Sequence, residues 1–208
     1  MLTMSTLRKP ASDFHHGDLR SALIAAGLKQ VERYGLNSLS LRQLSLATGV
    51  SQTAAYRHFR DLEHLKAEVS KSAREALGRE MQRSVEKITT SNLKQQAIDR
   101  LWSAGASYIN FGMCHPNMFE IAFITFESPE LEPENPSPWG ILNDCLDQLL
   151  SCNVISKPVR SKAPIIAWSA VHGFAGLASQ GMTGNIEETK KSMNTVLASV
   201  ITSLKIDA

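Results

Sequence analysis

Apolar residues recur in steps of three and four along almost the whole chain, and no run alternates apolar and polar with the Val, Ile and Thr content of a strand. Near the C-terminus Ile165, Trp168, His172, Ala175, Ser179 and Met182 follow this rhythm, as do Met193, Leu197, Val200 and Leu204. Each series is a seam along which one helix packs on another. The pattern predicts an all-α protein of about nine helices.

Punctuation divides the pattern into segments. Residues 1–15 lack periodicity and read as a mobile arm. A first helix carries Leu19, Leu23, Gly27, Val31 and Tyr34 on one face and stops at Gly35. Gly27 weakens a helix interior by about 1 kcal/mol relative to Ala, so its expected use is to admit a neighbouring helix. Ser40 and Gln43 have the spacing of a capping box that opens a short helix bearing Leu41, Leu44, Leu46 and Ala47. Gly49 then supplies a left-handed turn, Ser51 caps a second short helix over 52–58, Phe59 points inward, and Asp61 caps a long helix over 61–88. Further helices are expected over 92–114, 116–127, 138–152, 158–182 and 186–205, the last two forming an antiparallel hairpin across Gly184-Asn185. Pro129, Pro133, Pro136 and Pro138 exclude regular helix over 129–138, where Glu127, Glu130, Glu132 and Glu134 suggest a solvated loop. Domain limits are expected at 1–15, 16–65 and 66–208.

Charge and cysteine content exclude several classes. Residues 1–80 hold 12 Lys and Arg against 8 Asp and Glu, and the remainder 10 against 12, so a basic surface belongs to the N-terminal part. No apolar leader and no stretch of about 18 uncharged apolar residues occurs, which predicts a chain that is neither exported nor membrane-spanning. Cys114, Cys145 and Cys152 are too few and too scattered for a disulfide framework or a zinc site, and reduced thiols fit the cytoplasm. Neither Cys145 nor Cys152 has a basic neighbour in sequence to make it a redox sensor. His15 and His16 lack partners at metal-ligand spacing and read as part of a solvated arm. No catalytic motif pairs a nucleophile with a base, so no enzymatic activity and no cofactor are expected.

Two short helices joined by a Gly turn and braced by longer ones form a helix-turn-helix, whose second helix can enter a major groove about 12 Å wide. Gln52 and Thr53 occupy its leading turn, where Gln can bond adenine edges and Thr can offer a hydroxyl and a methyl. Ala54 and Ala55 leave the approach clear, and Tyr56, Arg57 and His58 suit phosphate and sugar. Tyr56 is expected to pack its ring and turn its hydroxyl outward.

The run Ser40-Leu41-Arg42-Gln43-Leu44, with Ala47-Thr48-Gly49-Val50-Ser51, Tyr56-Arg57-His58-Phe59-Arg60-Asp61 and Leu65, resembles the DNA-binding domain of the TetR/AcrR family of transcriptional regulators. Phe14-His15-His16-Gly17-Asp18-Leu19-Arg20 is similar to a first-helix pattern in one branch of it. Trp168-Ser169-Ala170-Val171-His172-Gly173 resembles that branch's Trp-His-Gly signature, and Tyr108, Phe111, His115-Pro116 and Phe119 match its middle section. The resemblance implies a ligand-responsive repressor, released from a pseudo-palindromic operator by a small-molecule effector. It also implies a helical ligand-binding and dimerisation domain, with a homodimer through 158–182 and 186–205. Carried over by position, Arg42, Gln52 and Thr53 read bases, and Ser40, Tyr56, Arg57 and His58 hold the backbone. Leu62 departs from the pattern, standing where the family usually has a phosphate-binding Lys; Arg57 or Arg60 replaces that charge, or phosphate affinity is weaker.

Trp102, Tyr108, Phe111, Met118, Phe119, Phe123, Trp139, Trp168 and His172 are either effector-pocket lining or plain core. His172 in particular can bond a ligand or serve as a satisfied core histidine. Ser169, Gly173 and Gly176 form a small-residue strip suited to a dimer interface or to close packing within one subunit. The rival readings are an enzyme and a helical small-molecule-binding protein without DNA function.

Overall fold

The computed structural model describes residues 16–126 and 132–205. The arm over 1–15, with His15, lies outside them, as do Glu127, Pro129 and Glu130. In chain order the helices are α1 (His16–Tyr34), α2 (Leu41–Thr48), α3 (Gln52–Tyr56), α4 (Leu62–Glu86), α5 (Leu93–Cys114), α6 (Pro116–Ala122), α7 (Pro138–Ser151), α8 (Lys157–Ser179) and α9 (Ile186–Lys205). A 3₁₀ turn, Leu36–Ser38, joins α1 to α2. No strand occurs among the described residues, and none of their helices is long and apolar enough to cross a membrane.

The first three helices and the start of α4 share one core. Leu19, Leu23, Val31, Leu41, Leu44, Ala55, Phe59, Leu65 and Val69 are all buried in it. A Cβ on Gly27 would stand 2.8 Å from Val69 Cγ2, so the missing side chain is what lets α1 lie against α4. Gly49 ends α2 at φ 73°, ψ 23°, a left-handed geometry that favours glycine. Ser51 accepts from the Ala54 amide at 3.2 Å and Asp61 from the His64 amide at 2.7 Å, so both expected caps form.

Several local expectations fail where a neighbour competes. The Ser40 side chain caps nothing, and Gln43 Oε1 instead accepts from Gln30 Nε2 of α1 at 2.8 Å. Leu46, 73% exposed, and Ala47 face outward, leaving Leu41, Leu44 and Ser45 to bury α2; Ser45 bonds the Leu41 carbonyl and needs no outside partner. Tyr34 leaves the α1 seam at 70% exposure. Helix α3 ends at Tyr56 rather than His58, and α6 ends at Ala122, well before 127. Helix α8 stops at Ser179, so Met182 lies beyond it and is exposed, as Ile165 also is.

The larger bundle is built around α5, which touches α4, α6, α7, α8 and α9. Leu101, Ala104, Tyr108 and Ile109 meet Leu77 and Met81 of α4, Leu142 and Leu146 of α7, and Leu197 and Val200 of α9 in one continuous core. Helix α4 runs unbroken from the N-terminal unit into this bundle. A second tie joins the two parts: Asn117 Nδ2 donates to the Glu32 carbonyl at 3.0 Å, and His115 Nδ1 lies 2.9 Å from Glu32 Oε1. Residues 132–137 strap across α4, with Glu134 3.7 Å from Arg74, so this acid is an ion-pair partner and not simply a solvated loop residue.

Candidate nucleic-acid interface and effector cavity

Burying Ala55 and Phe59 turns the opposite side of α3 outward. Gln52, Thr53, Tyr56 and Arg57 are all exposed there, and Arg42 is exposed at the start of α2. Ser40 and His58 are half-buried at the flanks. Tyr56 is 54% exposed, so more of its ring meets solvent than the packed role expects. The result is a polar ridge of donors, acceptors and one aromatic on a short helix held by apolar contacts behind it. That chemistry suits base edges and phosphates. Arg60 and Arg57 are both exposed close to Leu62.

The nine aromatic, Met and His positions singled out in sequence separate into groups. Trp102, Tyr108, Trp168 and His172 line a small cavity of about 30 Å³ together with apolar side chains of α4, α7 and α9. Phe119 and Phe123 lie against His172, with ring centroids 5.5 and 4.7 Å away, without themselves lining the cavity. Trp139 stacks edge-on against Trp168 at 5.4 Å while remaining 45% exposed, on the solvent side of a cavity-lining residue rather than in the lining itself. Phe111 and Met118 are buried in the core without lining the cavity. Nothing in their spacing separated them from Tyr108, because helix phase relative to three neighbours decides it.

One polar pair sits in this apolar setting. Tyr108 Oη and His172 Nδ1 are 2.7 Å apart. Burial pushes the Tyr108 phenol up and the His172 imidazole down, so both are neutral near neutral pH and satisfy each other. A sign follows for stability. In the unfolded chain His172 titrates near its ordinary 6.5, and in the folded chain below it. As pH falls through 6.5 toward the lowered value, only the unfolded state gains the proton, so folding weakens. Melting temperatures measured between about pH 7.5 and 5.5 should therefore fall more for the wild type than for His172→Gln; parallel curves would show that His172 carries no such linkage.

The cysteines are free, with Cys145 buried and Cys114 exposed. Burial, reinforced by Asp144, pushes the Cys145 thiol up to about 12, which leaves it unreactive. Among the described residues no group of three or more His, Cys, Asp or Glu side chains is arranged to hold a metal ion.

Residues 23–69 match the family model described as bacterial regulatory proteins, tetR family, and residues 101–200 match that of a tetracyclin repressor-like C-terminal domain. A protein of unknown function from Rhodococcus sp. RHA1 superimposes with a TM-score of 0.76 at 24% identity, over 94% of this chain and 100% of its own. A TetR variant from Acinetobacter baumannii AYE, solved in complex with minocycline, gives 0.57 at 18% identity over 88% of this chain and 94% of its own. A TetR family transcription regulator from Marinobacter aquaeolei VT8 gives 0.58 at 18% over 87% and 94%. These structures share the fold. No curated protein matches the sequence.

Proposed function

The chain belongs to the tetR family of bacterial regulatory proteins and is a DNA-binding, ligand-responsive transcriptional regulator, and on that premise we propose that it acts in the cytoplasm as a homodimeric repressor without enzymatic activity. The exposed polar ridge of α3 carries the reading. Two such ridges, one per protomer, meet successive major grooves about 34–36 Å apart on a pseudo-palindrome. Arg42, Gln52 and Thr53 read base edges, while Ser40, Tyr56, Arg57 and His58 hold the phosphates.

The effector enters the aromatic cavity between Tyr108, Trp168 and His172. At about 30 Å³ the cavity is far below the roughly 300–1,000 Å³ that small-molecule sites offer, so binding must displace its walls. Trp139, exposed and packed on the lining residue Trp168, is the side chain best placed to yield. The minocycline complex of a protein with this fold supports a small-molecule effector of this general kind. Displacement reaches the DNA-binding unit through α4 and through the Glu32 contacts with His115 and Asn117. The effector favours the spacing that DNA rejects, and by linkage operator DNA weakens the effector equally.

Dimerisation uses the outer faces of α8 and α9. Ser169 and Gly173 are exposed there, and a Cβ on Gly173 or Gly176 would meet nothing within 4 Å in the protomer. Gly173→Glu should leave the protomer folded yet shift it from dimer to monomer in sedimentation. A folded Gly173→Glu variant that still sediments as a dimer would remove this face from the interface.

The decisive test is a gel shift with DNA adjoining the chain's own gene. Gln52→Ala should cost about 1–3 kcal/mol of specific binding, and wild-type affinity should fall steeply between about 50 and 200 mM salt. Unchanged affinity in the variant together with a flat salt response would favour a helical ligand-binding protein with no DNA role.

A further inference from the structure

A second recess, lined by other side chains, is open in the present conformation. It is a cleft of about 560 Å³ between the end of α4, the 132–137 strap, α5 and α7, with Glu86, Arg100, Pro136, Asp144, Cys145 and Gln148 among its walls. That volume lies within the range that takes a small molecule.

Arg100 sets its chemistry. Nη1 donates to Gln148 Oε1 at 3.0 Å, while Nε is buried with no partner, alone in this among the buried side-chain nitrogens and oxygens of the described residues. A shielded, unbonded N–H on a charged group is unfavourable, and an acceptor brought to it recovers that loss. The guanidinium fork accepts a carboxylate with two parallel bonds. Glu86 and Asp144 are exposed at the same cleft, and neither stands in an ion pair among the described residues. The third acid, Glu134, already faces Arg74. A purely anionic molecule would meet two unneutralised carboxylates, and a purely cationic one would leave Arg100 unmet.

We propose that this cleft binds a small zwitterion, its carboxylate on Arg100 and its protonated amine on Glu86 and Asp144, with an apolar stem along Pro136 and Cys145. Arg100 of α5 and Asp144 of α7 both line the cleft together with Cys145, so both charges the ligand needs are present in it. The site is independent of the effector cavity and of the repressor reading.

Titration calorimetry of the full chain with three probes of matched length tests it: 6-aminohexanoate, hexanoate and hexylamine. The zwitterion should bind saturably and at least about tenfold more tightly than either partner probe, a margin expected of a charge-assisted pair. Arg100→Gln should lose that binding. Glu86→Gln with Asp144→Asn alters only exposed side chains, so it keeps the fold and should erase the advantage over hexanoate; it decides the matter if Arg100→Gln does not fold. No saturable binding of 6-aminohexanoate, equal binding of hexylamine, or an unchanged advantage in the double variant would overturn the proposal.

Discussion

Arg20→Ala is expected to destabilise the chain by about 2–4 kcal/mol in urea unfolding, toward the lower end of what breaking a buried ion pair costs because Arg20 is itself 41% exposed. Arg20 of α1 pairs with Glu68 of α4, whose side chain is only 6% exposed, and its guanidinium lies 5.8 Å from the centre of the Phe59 ring. His64 Nε2 stands 3.9 Å from the same carboxylate, and its ring meets Phe59 edge-on. Removing Arg20 leaves Glu68 without its close partner and takes a cation from an aromatic face. The damage should be specific in its position. The pair ties α1 to α4 beside Phe59, which follows α3, so operator affinity should fall before bulk helicity does. Arg20→Met combined with Glu68→Leu removes both charges and should recover most of the stability, since an apolar pair of similar volume often matches a buried ion pair. A double variant no more stable than Arg20→Ala would place the effect in packing of the Arg stem instead.

Gly78→Ala should cost about 2–3 kcal/mol, despite the gain of up to about 1 kcal/mol that Ala normally brings to a helix interior. A Cβ at Gly78 would sit 2.1 Å from the Pro136 carbonyl oxygen and 2.9 Å from its carbon. Those are backbone atoms, so no rotamer change relieves the clash. The strap must lift from α4, and the Arg74 contact with Glu134 should loosen with it. Gly173→Ala is the matched control: nothing stands within 4 Å, and the same substitution should be neutral or stabilising within the protomer. Equal melting temperatures for Gly78→Ala and the wild type would show that the strap yields freely.

Much of the fold was legible because it is encoded locally. The 3.6-residue rhythm placed the helices, and Ser51, Gly49 and Asp61 each act on backbone groups within a few residues, so their roles followed from spacing alone. The α3 ridge was legible only in part: Gln52, Thr53, Tyr56 and Arg57 stand exposed as expected, but Ala55, read as leaving the approach clear, is fully buried and anchors the helix from behind. The capping box at Ser40 was not, because Gln43 is claimed by Gln30, thirteen positions away. Leu46 and Tyr34 fit an apolar pattern yet face solvent, since pattern does not reveal where a partner helix ends.

By itself, then, the sequence determined the helical class, most helix boundaries to within a few residues, and the polar residues that α3 exposes. Tertiary structure alone decided which aromatics enclose a cavity, that Tyr108 and His172 satisfy each other across 64 positions, that Arg20 meets Glu68, and that Arg100 keeps an unpartnered nitrogen beside a cleft. The physical reason is range. Helix formation and capping depend on groups a turn or so apart along the chain, whereas cavities, buried charges and close backbone contacts arise only when distant helices are set in register against one another.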